Sequence, residues 1–145
     1  MANPFTDFLA LEDLIIAQVQ ANVTGLKKIY GSRDLATVTR KSQVTPSLAV
    51  IYRDYRVVET DGRKCRARVR QNWYTVLSVR NAKDQQHGAG VRDDAGPLMM
   101  DIIRALMGWQ PGPGYSAMEL VSAPPAITAA TVGDFPIGWT TELYL

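Results

Sequence analysis

The sequence predicts an α+β fold: a single layer of mainly antiparallel sheet, about four strands wide with one long projecting hairpin, packed against two helices. Three observations carry this expectation. Apolar residues recur at helical spacing in two separate stretches, about 7–22 and 91–107. Between them lie two long runs rich in β-branched and aromatic residues, separated by Asp61-Gly62. The chain then closes on two shorter strand patterns, at 118–123 and 138–145.

In the first helix Phe8, Leu11, Leu14, Ile15, Val19 and Val23 follow i, i+3, i+4 steps, while Glu12, Asp13, Gln18 and Gln20 occupy the other faces. Thr6 is the expected N-cap, Asp7 beside it complements the helix dipole, and Gly25 marks the stop. The signal over 26–45 is weak: a short extended piece at 27–30 and a single turn at 34–38. Pro46 makes its predecessor extended and suits the start of an edge strand.

The hairpin follows. Residues 47–60 supply Leu48, Val50, Ile51, Tyr52, Tyr55, Val57 and Val58, and Asp61-Gly62 is a turn signal. Over 64–80 the residues Cys65, Ala67, Val69, Gln71, Trp73, Thr75, Leu77 and Val79 point one way. Arg66, Arg68, Arg70, Asn72, Tyr74, Val76 and Ser78 point the other. This second arm spans about 55 Å at the usual strand rise, more than a body of this size covers. Its tip should project and need a partner to cover it, because an isolated hairpin is marginal in water.

A polar loop at 81–90 leads into the second helix, whose apolar stripe is Val91, Ala95, Leu98, Met99, Ile102, Ile103, Leu106 and Met107. Pro97 leaves two options, a kink or a regular helix that starts with Pro97 as its first residue. Gly108 and Pro111-Gly112-Pro113-Gly114 end it. In the last strand Trp139, Thr141, Leu143 and Leu145 alternate with Thr140, Glu142 and Tyr144. No repeat or linker divides the chain, so one domain over 1–145 is expected.

Composition narrows the function classes. The 145 residues are 46% apolar and 21% charged, ordinary for one folded core. A net charge of +2 gives no whole-molecule field to attract nucleic acid. With Cys65 the one cysteine and His87 the one histidine, no internal disulfide and no multi-cysteine or multi-histidine metal site can form. Asp7, Glu12 and Asp13 break any signal-peptide pattern, and the apolar run at 14–17 is far below the roughly 20 residues that span a bilayer. The expectation is a soluble protein, folded in a cytoplasm, with no membrane partner.

No group of side chains reads as catalytic. His87 sits in a polar loop, and Cys65, alternating inward on a strand, reads as a small apolar filler. Asp93 and Asp94 point about 100° apart on a helix and share no site. Gly88-Ala89-Gly90 lacks the spacing of a phosphate-cradling loop. No catalytic residue, cofactor or metal is expected.

The basic run from Arg63 to Arg70 is the unusual feature. It has three readings: a solvated sheet face with a charge-blunted edge, a nucleic-acid strand with Trp73 and Tyr74 for stacking, or a protein interface. The interface is preferred, because a projecting hairpin needs cover that neighbouring subunits can offer.

Several segments together resemble phage tail terminator (tail completion) proteins. They are Arg92-Asp93-Asp94-Ala95-Gly96-Pro97-Leu98 through Asp101-Ile102-Ile103, Ala105-Leu106, Gly108-Trp109 and Pro111. The flanks agree: Val44-Thr45-Pro46 before a strand, Val79-Arg80-Asn81 after one, Leu120-Val121-Ser122-Ala123-Pro124, and the closing Gly138-Trp139-Thr140-Thr141-Glu142-Leu143. The resemblance implies a ring of copies, six in number, at the head-proximal end of the virion tail. Such a ring caps the tail tube, stops its growth and presents a surface to the head–tail connector proteins, and in a contractile tail it meets the sheath. DNA would pass its lumen only as cargo.

By that analogy the hairpin tip, with Asp61, Arg63, Lys64, Arg66 and Arg68, is the expected contact with a neighbouring subunit or the tube. Lys83, Asp84 and His87 are expected on a second ring face or in the lumen. Leu98, Ile102, Ile103 and Leu106 are expected in the core, with Trp109 anchoring the helix exit. A head–tail connector or neck protein is the alternative, and a small nucleic-acid-binding domain that uses the arginine strand stands behind it.

Overall fold

The computed structural model describes residues 4–35, 43–81, 89–129 and 131–145. Among these, three helices and six strands run in the order α1 (Leu11–Asn22), β1 (Lys28–Tyr30), α2 (Ser32–Leu35), β2 (Ser47–Thr60), β3 (Ala67–Arg80), α3 (Ala89–Leu106), β4 (Glu119–Val121), β5 (Ile127–Thr128) and β6 (Val132–Tyr144). The expected four strands and two helices were an undercount. β1, α2 and β5 have three, four and two residues, too few to leave a periodic signal.

The strands make one open sheet in the order β1-β2-β3-β6-β4, with β5 also on β6. β1 runs parallel to β2, and every other pairing is antiparallel. β2 therefore begins inside the sheet, against the expectation that Pro46 opens an edge strand. Proline keeps its acceptor, and the Pro46 carbonyl accepts a hydrogen bond from Lys27 N at 2.9 Å just before the ladder starts.

α1 and α3 pack on each other and on one face of the sheet. Leu11, Ile15 and Val19 of α1 and Val91, Ala95, Ile102 and Leu106 of α3 close over Leu48, Val50, Trp73, Leu77, Ile137, Trp139 and Leu143. Leu98, Ile103 and Trp109 are half-buried at the rim of this core, while Met107 is exposed. The alternation read along β3 holds from Val69 to Val79. Trp73 and Trp139 stand opposite each other on β3 and β6. Each indole finds a buried acceptor: Trp73 Nε1 donates to Gln71 Oε1 at 3.1 Å and Trp139 Nε1 to Thr75 Oγ1 at 2.9 Å. The rings thus bury their area without orphaning their one donor.

α1 starts at Leu11, and Thr6 is not its cap; Ala10 holds the N-cap position with no side-chain bond. Asp7 instead closes a preceding turn, accepting from Leu9 N at 2.9 Å and from Ala10 N at 3.3 Å. Gln71 Nε2, reaching from the sheet, donates to the Phe8 carbonyl at 2.6 Å and holds it out of the helical ladder. α3 runs through Pro97, so its regular part does not begin there.

β6 begins at Val132, six residues ahead of the expected start, where Gly133, Pro136 and Gly138 hide it. Pro136 falls between the stretch paired with β5 and the stretch paired with β4, where β6 has a strand on one side only. Gly138 lies under β4: a Cβ there would come within 2.6 Å of the carbonyl oxygens of Val121 and Ser122. Residues that argue against a strand locally are the ones this sheet edge requires.

Candidate assembly surface

The expected projecting hairpin is in part built into the sheet. β6 flanks β3 along its whole length, from Arg80↔Val132 to Arg68↔Tyr144. What leaves cover is the outer half of β2, where all eight residues after Tyr52 are exposed, and the tip between the strands. Register shifts between Tyr52 and Asp54 and between Val57 and Glu59 insert two extra residues in β2. Bulges of this kind twist a strand and interrupt a sheet edge. The Tyr55 ring lies edge-on to Phe8 at 5.3 Å.

The tip is closed by its own backbone. Asp61 N donates to the Arg66 carbonyl at 3.1 Å, and Lys64 N donates to the Asp61 carbonyl at 3.1 Å. Asp61 Oδ1 accepts from Cys65 N at 2.8 Å. Lys64 takes a left-handed conformation, φ 59°, which strains a side-chain-bearing residue by about 1 kcal/mol. Asp61 is thereby committed to the turn. Cys65 is exposed and lies ahead of β3, which corrects its reading as an inward strand filler. A turn, not an alternating strand, occupies 61–66.

On the sheet face away from the helices the arginines of β3 are largely answered from within. Arg68 lies 3.4 Å from Glu59 and 3.5 Å from Glu142, and Arg70 lies 3.0 Å from the same Glu142. These four charges form a ladder across β2, β3 and β6, so Arg68 belongs to the sheet more than to the tip. Arg63, Lys64 and Arg66 make no ion pair with any described residue. Between the tip and the chain's last residues lies an open cavity of about 760 Å³, lined by Arg66, Arg68 and Asp61 on one side and Pro4, Gly114 and Tyr144 on the other. Beside it Phe5 packs edge-on to Tyr115 at 4.8 Å, seated against Gly114, whose φ of +83° and lack of a Cβ let the ring approach.

Trp73 is buried and cannot stack on a base, and Arg53 lies over the ring of Tyr74 at 5.4 Å. The aromatic half of the nucleic-acid reading is gone. Lys83, Asp84 and His87 lie outside the described residues. The sequence reading had the outer end of the hairpin project but placed no candidate residue on the outer half of β2, and it missed the largely exposed stretch 119–129. Their signal was present in part, since 119–129 has Glu119 as its one charged residue and yet holds two consecutive prolines.

The family model for the phage tail terminator protein matches residues 1–145, the whole length of the chain. The chain belongs to the phage tail terminator family. A search of curated proteins found no match. Tail terminators are structural virion proteins and not an enzyme family, so the role of this chain is a structural one in the phage tail. A tail terminator works by interacting with other tail and head proteins, which makes exposed edges and charged tips the places to look for function. Among the described residues no cluster of three or more metal-ligating side chains occurs, and no helix is long and apolar enough to cross a membrane.

Proposed function

We propose that this chain forms a closed ring of six copies that caps the tail tube at its head-proximal end, stops tube growth and presents the surface to which head–tail connector proteins bind. The observation that carries the reading is the family match over all 145 residues. The surface is compatible with it. A ring needs a head-to-tail contact between copies and complementary faces above and below, and the outer half of β2 with the tip Arg63, Lys64 and Arg66 is uncovered in a lone chain. The tip is the contact with a neighbouring copy or the tube protein, the residues Lys83, Asp84 and His87 belong to a second ring face or the lumen, and DNA passes through the ring as cargo. In a contractile tail the sheath is a further partner.

The test uses tail tubes and the purified chain. Electron microscopy should show a ring on one end of each tube, and tubes so treated should no longer lengthen when tube protein is added. Tubes that keep growing from decorated ends would reject the capping role. Immunogold labelling of tails without heads separates the terminator from a neck protein, since a neck protein leaves headless tails bare.

A further inference from the structure

Both edges of the sheet leave a strip uncovered, and the two strips match. On one edge β1 shields Ser47–Ala49 of β2, and beyond them Tyr55 and Val57 are 56% and 50% exposed. On the other edge β4 lies outermost, with all three residues exposed and Leu120 at 45%. Exposed apolar strips of this kind mark contact sites.

Register decides which side chains share a face. Tyr55 and Val57 pair with Gln71 and Val69, and Leu120 pairs with Trp139, so all of these lie on the helix-bearing face. Arg56 pairs with Arg70 and Glu119 with Thr140, which puts both on the open face. Neither Arg56 nor Glu119 forms an ion pair with any described residue. Between its two register shifts β2 offers one regular window, Asp54–Val57, and β4 is three residues long.

We infer that β4 of one copy adds antiparallel to the Asp54–Val57 window of β2 in the next copy, with Tyr55 opposite Leu120 and Arg56 opposite Glu119. The direction follows from the sheet. β2 and β6 run the same way and β4 runs against β6, so β4 meets the β2 of a like-oriented neighbour antiparallel. Apolar then meets apolar on the helix-bearing face, and arginine meets glutamate on the open face. Arg56 and Glu119 sit level with Glu142 and Thr140 of β6. The contact therefore steps by two residues, about 7 Å, for each sheet crossed, a stagger that a modest strand tilt absorbs in a closed ring.

The contact joins different surfaces of identical chains, the kind that closes rings. It is far smaller than the roughly 800 Å² per partner of a standard interface. One pair of copies should hold weakly, and closure, which gives each copy two such contacts, should make assembly steep in concentration.

The inference rests on the ring reading and supplies its contact. Arg56→Glu and Glu119→Arg, each alone, set like charges opposite and should raise the concentration needed for assembly about tenfold. The R56E/E119R chain should assemble as the wild type does, and so should an equal mixture of the two single variants, with unchanged circular dichroism throughout. In a C65S background, Tyr55→Cys with Leu120→Cys should yield a ladder of covalent multimers on oxidation. Single variants that assemble normally, or a double variant that does not recover, would overturn this contact while wild-type rings on tubes kept the ring reading intact. Wild-type chains that never assemble, alone or on tubes, would sink both.

Discussion

Ser47–Val50 at the start of β2 is buried, whereas the stretch from Arg53 to Thr60 at its end is exposed, although both carry β-branched apolar residues, Val50 in the first and Val57 and Val58 in the second. Neighbours make the difference. The first half has β1 on one side, β3 on the other and α1 above it. The second half has β3 on one side, and on the helix-bearing face the Phe8 ring meets Tyr55. A strand's composition states that it suits a pleated surface, and the tertiary structure states who covers it.

The contrast can be broken first at its buried end. Leu48→Ala should cost about 2–5 kcal/mol of unfolding free energy, the range for emptying a packed core position, while Val57→Ala should stay within about 0.5 kcal/mol. Urea titrations of the two variants check this, and equal losses would mean that the two halves do not differ as described. Gly138→Ala comes next. The added Cβ meets the backbone carbonyls of Val121 and Ser122, at the end of β4 and just past it, which cannot rotate away as a side chain can, so a loss of about 1–3 kcal/mol is expected. Hydrogen exchange should show the β4 amides opening first.

Glu142→Gln probes the ladder that joins the exposed half to the rest of the sheet. It removes the charge shared by Arg68 and Arg70. Both arginines are partly solvated, so the loss should be about 1 kcal/mol and should shrink as salt rises. The smallest effect is expected at Tyr115, whose buried hydroxyl has no hydrogen-bond partner among the described residues. Burial first, and then the charge of Asp7, raise its phenol above the usual 10.0. The folded state thus keeps the proton that the unfolded chain gives up. The stability this represents is complete below pH 10 and is lost as pH rises past it. Tyr115→Phe should change stability by less than about 1 kcal/mol at neutral pH and should flatten the alkaline decline in a pH series of melting curves.

Much of the fold was legible. The α1 and α3 stripes, the alternation of β3 and the closing Trp139, Thr141 and Leu143 were visible because burial on one face imposes a period of 3.6 or 2 on a long element. β1 and α2 showed only as a short extended piece at 27–30 and a single turn at 34–38, and β5 not at all, since a few residues hold no period. The first half of β6 was hidden for another reason: Gly133, Pro136 and Gly138 are shaped by what touches the strand, not by what the strand is. The interface reading of the basic run was legible only in outline. Nothing in the order Arg63 to Arg70 says that Glu59 and Glu142, from two other strands, would claim Arg68 and Arg70 and leave Arg63, Lys64 and Arg66 outward.

By itself the sequence determined the elements with enough length to repeat a pattern, the lack of a second cysteine for Cys65 to pair with inside these 145 residues, and a likeness to its family written in turn and packing residues. Only the tertiary structure decided which half of β2 is covered, which arginines are paired and where two open edges lie on one sheet. Periodicity records whether a residue has a core on one side of it. Edges, ion pairs and strips of exposed surface depend on which distant strand arrives alongside, and that is set by the packing of the whole chain.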